Sequence, residues 1–90
     1  MENKSSRAMT PRLAEKLRQI RTSLGLSQKE FSIRLESYKG IRISVSSISD
    51  YERGIREPPI LITFAYAELA NVPLEILADE TLEVQFLSIG

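Results

Sequence analysis

From Pro11 to Leu24 the apolar residues Leu13, Leu17, Ile20 and Leu24 recur three and four positions apart, with polar and charged residues between them. That spacing is the stripe of a helix with one buried face. Thr10-Pro11 supplies its start, with Thr as N-cap and Pro at the first helical position, and Gly25 supplies its stop. A second helix opens at Ser27, where Glu30 completes a capping box, and Phe31 and Leu35 form its buried side. Ser32 is small enough for a close helix crossing. The pattern fades near Glu36 or Ser37, and Tyr38 to Ile43 reads as a loop with a turn at Gly40. Ser44 caps a third helix that runs to about Arg53, with Ile48 as its core anchor and Gly54 as its stop. Pro58-Pro59 begins a fourth helix, on which Leu61, Phe64, Ala65 and Leu69 mark the inward face. Asn71-Val72-Pro73 breaks it, and Leu74 to Ala78 forms a short fifth helix carrying Ile76 and Leu77.

The two ends follow other patterns. Residues 1–10 are polar with little periodicity and read as a flexible arm. Residues 80–90 include the strand-like alternation Leu82, Val84, Phe86, for which a helical chain offers no obvious partner. Pairing with a second copy, packing on the domain and disorder all remain open for this tail. The expected organisation is therefore an arm (1–11), a helical domain (12–79) and a tail suited to dimerisation (80–90). The expected core is Leu13, Leu17, Ile20, Leu24, Phe31, Leu35, Ile48, Leu61, Phe64, Leu69, Ile76 and Leu77.

Composition narrows the function. At 90 residues the chain has room for one small domain. It contains no cysteine and no histidine, so disulfides, thiolate metal sites and the commonest general base are missing. No apolar run reaches membrane-spanning length, and the polar start has no hydrophobic region behind it, so a cytoplasmic, bacterial or phage protein without membrane contact is expected. The net charge of zero conceals an asymmetry. All 12 Lys and Arg lie within residues 1–56 beside six of the 12 acids, so that part carries +6 and residues 57–90 carry −6. One face suits phosphate, and the other is kept from it.

The most informative stretch is Ser46-Ser47-Ile48-Ser49-Asp50-Tyr51-Glu52-Arg53-Gly54-Ile55-Arg56-Glu57-Pro58, a short helix with a hydroxyl-rich start followed by a basic turn. Upstream lies the helix opening Leu24-Gly25-Leu26-Ser27-Gln28-Lys29-Glu30-Phe31. Two short helices with polar, outward starts fit a DNA major groove. Leu24, Gly25, Leu26, Ser27, Gln28, Phe31, Leu35, Ile48, Glu52, Arg53, Gly54, Arg56, Glu57 and Pro58 fall in order on the pattern of a known family. In them the chain resembles the Cro and phage-repressor type helix-turn-helix domains, the XRE family of transcriptional regulators, over roughly Leu13 to Asp79. The resemblance implies an all-α fold, a five-helix lambda-repressor-like DNA-binding domain. One departure is the interval from Leu35 to Ile48, 13 residues, about six more than the family's usual spacing. The loop between helices two and three is therefore enlarged between Glu36 and Ile43. The added residues, which include Lys39 and Arg42, suit a wing-like phosphate contact, a longer helix or a tolerated surface insertion.

The resemblance also suggests roles. Ser44, Val45, Ser46, Ser47, Ser49 and Asp50 lie at or near the start of the recognition helix, and family positions matching Val45, Ser46 and Asp50 reach base edges. Val45 suits a thymine methyl, and Asp50 suits a cytosine amino group, the helix start or a nearby arginine. Gln28 matches a phosphate-contacting glutamine at the start of helix two. Lys29, Lys39, Arg42, Arg53 and Arg56 are candidate phosphate partners, with Arg56 favoured by its place after helix three. Arg21 and Glu52 match a structural ion pair that joins helices one and three.

The leading expectation is a sequence-specific regulator that binds a pseudo-palindromic operator in double-stranded DNA as a homodimer. The acidic C-terminal half is then a surface for dimerisation or a protein partner. The alternative is a protein-interaction module, such as an antitoxin or an antirepressor acting on a related regulator. No enzyme is expected, because the chain has no phosphate-binding loop, no nucleophile elbow and no histidine to activate its serines. No cofactor or metal is expected.

Overall fold

The computed structural model describes residues 11–78, which form five helices: α1 (Pro11–Ser23), α2 (Gln28–Lys39), α3 (Val45–Glu52), α4 (Ile60–Ala70) and α5 (Leu74–Ala78). The Thr10 cap, most of the arm and the tail lie outside the described residues. Helix α1 is central: it packs against α3, α4 and α5, while α2 packs on α3 and α4 on α5. Leu17, Ile20, Phe31, Leu35, Ile48 and Tyr66 are fully buried at the centre, and Leu13, Leu24, Leu69 and Ile76 close over them from the edge.

Local signals account for most boundaries. The Ser27 hydroxyl accepts from the Glu30 backbone N–H at 3.0 Å, and the Glu30 carboxylate accepts from the Ser27 backbone N–H at 2.8 Å. Two of the four orphan donors at the start of α2 are thereby satisfied. The bond from the Ser27 backbone, followed by that from its hydroxyl, holds the Glu30 carboxyl below the usual carboxylate range. Ser44 caps α3 by accepting from the Ser47 backbone N–H at 3.1 Å.

Helix α2 ends later than the hydrophobic pattern indicates. Its apolar stripe does stop at Leu35, but the helix continues through Tyr38 to Lys39 and closes at Gly40, whose φ of +68° is left-handed. Nothing between Glu36 and Lys39 breaks a helix, and Gly40 is the first residue that tolerates the closing conformation without strain. Part of the added segment thus lengthens α2, and only residues 40–44 connect it to α3. The connection is held by the Ser32 hydroxyl, which donates to the Ile43 carbonyl at 2.7 Å. Ser32 therefore serves the turn between the two helices.

Helix α4 is rotated from expectation. Leu61 is 65% exposed and Phe64 39% exposed, whereas Ile62, Thr63, Ala65, Tyr66 and Ala67 are buried. The helix is apolar nearly all round, so periodicity alone selects no face. Tyr66 supplies the choice: its ring packs on Phe31 with centroids 4.4 Å apart, and its hydroxyl reaches a buried carboxylate on α3. On α1, Lys16 is 3% exposed and its ammonium donates to the Ile76 carbonyl at 2.6 Å, tying α1 to α5.

Candidate nucleic-acid interface

The C-terminal end of α3 is fixed by a single carboxylate. The Glu52 side chain is 1% exposed. It accepts from Arg21 Nε at 2.9 and 3.0 Å and from Arg21 Nη2 at 2.9 Å. Tyr66 of α4 donates its hydroxyl at 2.8 Å, and Gln28 of α2 donates its amide at 3.3 Å. Arg21 Nη1 also donates to the Leu26 carbonyl at 2.8 Å, just before α2. Residues of α1, α2 and α4 therefore converge on α3 at Glu52. A buried charge needs such complete pairing to be tolerated. The Glu52 hydrogen bond holds the Arg21 guanidinium above its usual value. Burial, together with the Glu52 charge, pushes the Tyr66 phenol up.

The sequence singles out Arg21 and Glu52, and the structure brings them together. It does not single out Tyr66. The available signal was a tyrosine in the middle of an apolar helix, because a buried phenol needs a hydrogen-bond partner. Gln28, expected at a phosphate, faces Glu52 with its amide and is half-buried.

The opposite end of α3 is open. Ser44, Val45 and Ser46 are exposed, and Ser47, Ser49 and Asp50 are half-buried. The Ser44 hydroxyl lies 3.1 Å from that of Ser46 and donates to that of Ser47 at 3.0 Å. Arg56 folds back from the following turn over this end. Its guanidinium sits 5.2 Å from the Tyr51 ring centroid and donates to the Tyr51 hydroxyl at 3.1 Å and to Ser47 at 3.4 Å. The turn itself is held by the Asp50 carbonyl, which accepts from the backbone N–H groups of Ile55 and Arg56 at 2.9 and 3.3 Å. Gly54 makes the turn sharp with φ +77°, and a Cβ there would meet that of Ala14 on α1 at 3.6 Å.

The remaining cations divide. Lys29 stands exposed on the first turn of α2. Arg53 pairs with Asp50 at 3.2 Å, which occupies the carboxylate otherwise suited to a base. Arg42 is 85% exposed and pairs with Glu36 at 3.6 Å. Lys39 pairs with Glu68 of α4, so it lies beside that helix. Among the described residues no helix is long and apolar enough to cross a membrane.

Comparison with curated proteins and with solved structures gives no match. Residues 17–77 match the helix-turn-helix family model, an interval that takes in α2, α3 and the Glu52 assembly. This family binds DNA, is associated with transcriptional regulation and is generally non-enzymatic. The matched interval is most of the chain, which therefore belongs to the XRE/Cro-type helix-turn-helix family.

Proposed function

We propose that this protein is a sequence-specific transcriptional regulator that binds a pseudo-palindromic operator in double-stranded DNA as a homodimer. The observation that carries this reading is the contrast along α3: a hydroxyl-rich first turn stands open beside Arg56, on a helix whose other end is bolted to three neighbours. Such a helix enters a major groove with its first residues against base edges. Val45 and Ser46 meet bases, while Ser44, Ser47 and Ser49 support them. Arg56, Lys29, Arg53 and Arg42 neutralise phosphates, with Arg56 first because it already lies against α3. Gln28 divides its amide between Glu52 and a phosphate. Asp50 contributes less because Arg53 occupies its carboxylate, and Lys39 because its pairing with Glu68 holds it beside α4. Two-fold docking sets the half-sites about one helical turn, ~34 Å, apart.

A second reading has support of its own. Ile60, Leu61 and Phe64 are exposed on α4, and a groove of about 320 Å³ beside them is lined by Phe64, Ala67, Glu68, Asn71, Val72 and Leu74. This acidic half suits a dimer contact, and it equally suits a protein partner of an antitoxin or antirepressor.

Selection from a random duplex pool, followed by titration at several salt concentrations, separates the readings. A DNA regulator yields a two-fold symmetric motif whose affinity falls steeply with salt. A protein-interaction module yields no motif and binds duplex weakly at every salt concentration.

A further inference from the structure

A serine hydroxyl has one hydrogen and two lone pairs, so its role toward a ligand is set by what its neighbours already use. Ser44 spends its hydrogen on Ser47. The contact between Ser44 and Ser46 must then be a donation from Ser46. With the backbone N–H of Ser47 also bound, both Ser44 lone pairs are taken. Ser47 in turn accepts from Ser44 and from Arg56, and its own hydrogen meets no acceptor among the described residues. Ser46 is left with free lone pairs and no free hydrogen, on the exposed face of the first turn.

The geometry points to Ser46 as a hydrogen-bond acceptor at the base edge, selecting a base that bears an exocyclic amino group, adenine or cytosine. Ser44 and Ser47 are positioning residues that hold the Ser46 hydrogen inward. In the major groove the adenine and cytosine amino groups are the only donors, so an acceptor at this place discriminates by polarity rather than by size. The inference rests on the DNA-binding reading proposed above and assigns the chemistry of one contact within it.

The test uses the selected duplex and base analogues that each remove one atom group. The base met by Ser46 is the position whose preference flattens in selection with Ser46→Ala. Replacing adenine there by purine, or cytosine by 2-pyrimidinone, removes the amino group alone. Wild-type binding is expected to weaken about fivefold, the worth of one hydrogen bond, and Ser46→Ala binding to stay unchanged. Ser47→Ala keeps the backbone N–H that caps α3 but removes the acceptor of Ser44. The Ser44 hydrogen then turns to Ser46, and the amino-group preference is expected to shrink although Ser46 is intact. A wild type indifferent to amino removal, an equal loss in Ser46→Ala, or a full preference retained in Ser47→Ala would each overturn the assignment. A salt-dependent operator without the amino effect rejects only this inference, whereas no selected operator rejects the DNA reading and this inference together.

Discussion

The two ends of α3 lie about two turns apart and are built on opposite terms. At Glu52 every polar atom is spoken for, by Arg21, Gln28 and Tyr66, and the carboxylate is buried. At Ser44–Ser47 the bonds run among short exposed side chains and leave donors and acceptors facing outward. The contrast separates two tasks: buried polar bonds are concentrated where the helix is anchored, and the residues proposed to meet DNA lie at the exposed end. Substitution at the first end is expected to appear in stability, and at the second in affinity.

Arg21→Ala is the most severe way to break this division. It leaves the buried Glu52 charge without its main partner and is expected to cost about 3–5 kcal/mol in chemical denaturation. A loss below 1 kcal/mol by this assay would show that the anchor is not where stability resides. Tyr66→Phe comes next, because it removes one hydrogen bond to a charged group and keeps the ring on Phe31; about 1.5–3 kcal/mol is expected. It also carries a pH signature. Burial and Glu52 raise the folded Tyr66 phenol above the ordinary tyrosine value of 10.0. Its contribution is therefore full below that value and is lost as pH rises above it, because the unfolded phenol ionises while the folded one resists. Thermal melts across the alkaline range should show a shallower decline for Tyr66→Phe than for wild type.

Ser44→Ala sharpens the comparison at the open end. The loss of the α3 cap is expected to cost about 1 kcal/mol, less than either change at the anchor. Arg56→Ala should be smaller still in stability, within about 0.5 kcal/mol, because its partners Ser47 and Tyr51 do not depend on it for packing. In DNA titrations the same variant should bind more weakly, and its log–log salt slope should fall by about one. An unchanged slope would remove Arg56 from the phosphate contacts.

The parts of this division legible in the sequence are those that a single residue type enforces locally. Ser27 with Glu30, Ser44, Gly54 and Asn71 each mark a boundary because the cap or turn chemistry is contained within a few residues. The end of α2 is not legible there for the complementary reason: a hydrophobic stripe reports what is buried, not where a helix stops, and an exposed last turn carries no apolar signal. The face of α4 is decided by contacts from Tyr66 to Phe31 and Glu52, 35 and 14 residues away in the chain, which a local pattern cannot contain. At the candidate site, the family resemblance supplied the Arg21–Glu52 pair and the serine-rich start. The fold of Arg56 onto Tyr51 and Ser47, and the pairing of Lys39 with Glu68, depend on three-dimensional placement alone.

We propose that α3 is anchored at Glu52 so that its first turn can read DNA. The most direct test is selection of a duplex site by the purified protein, with its affinity then measured against salt for wild type and Arg56→Ala. A two-fold symmetric site is expected, with an affinity that drops steeply with salt and a weaker, less salt-sensitive complex for the variant. A folded protein that enriches no site, or binds one with no salt dependence, would contradict it.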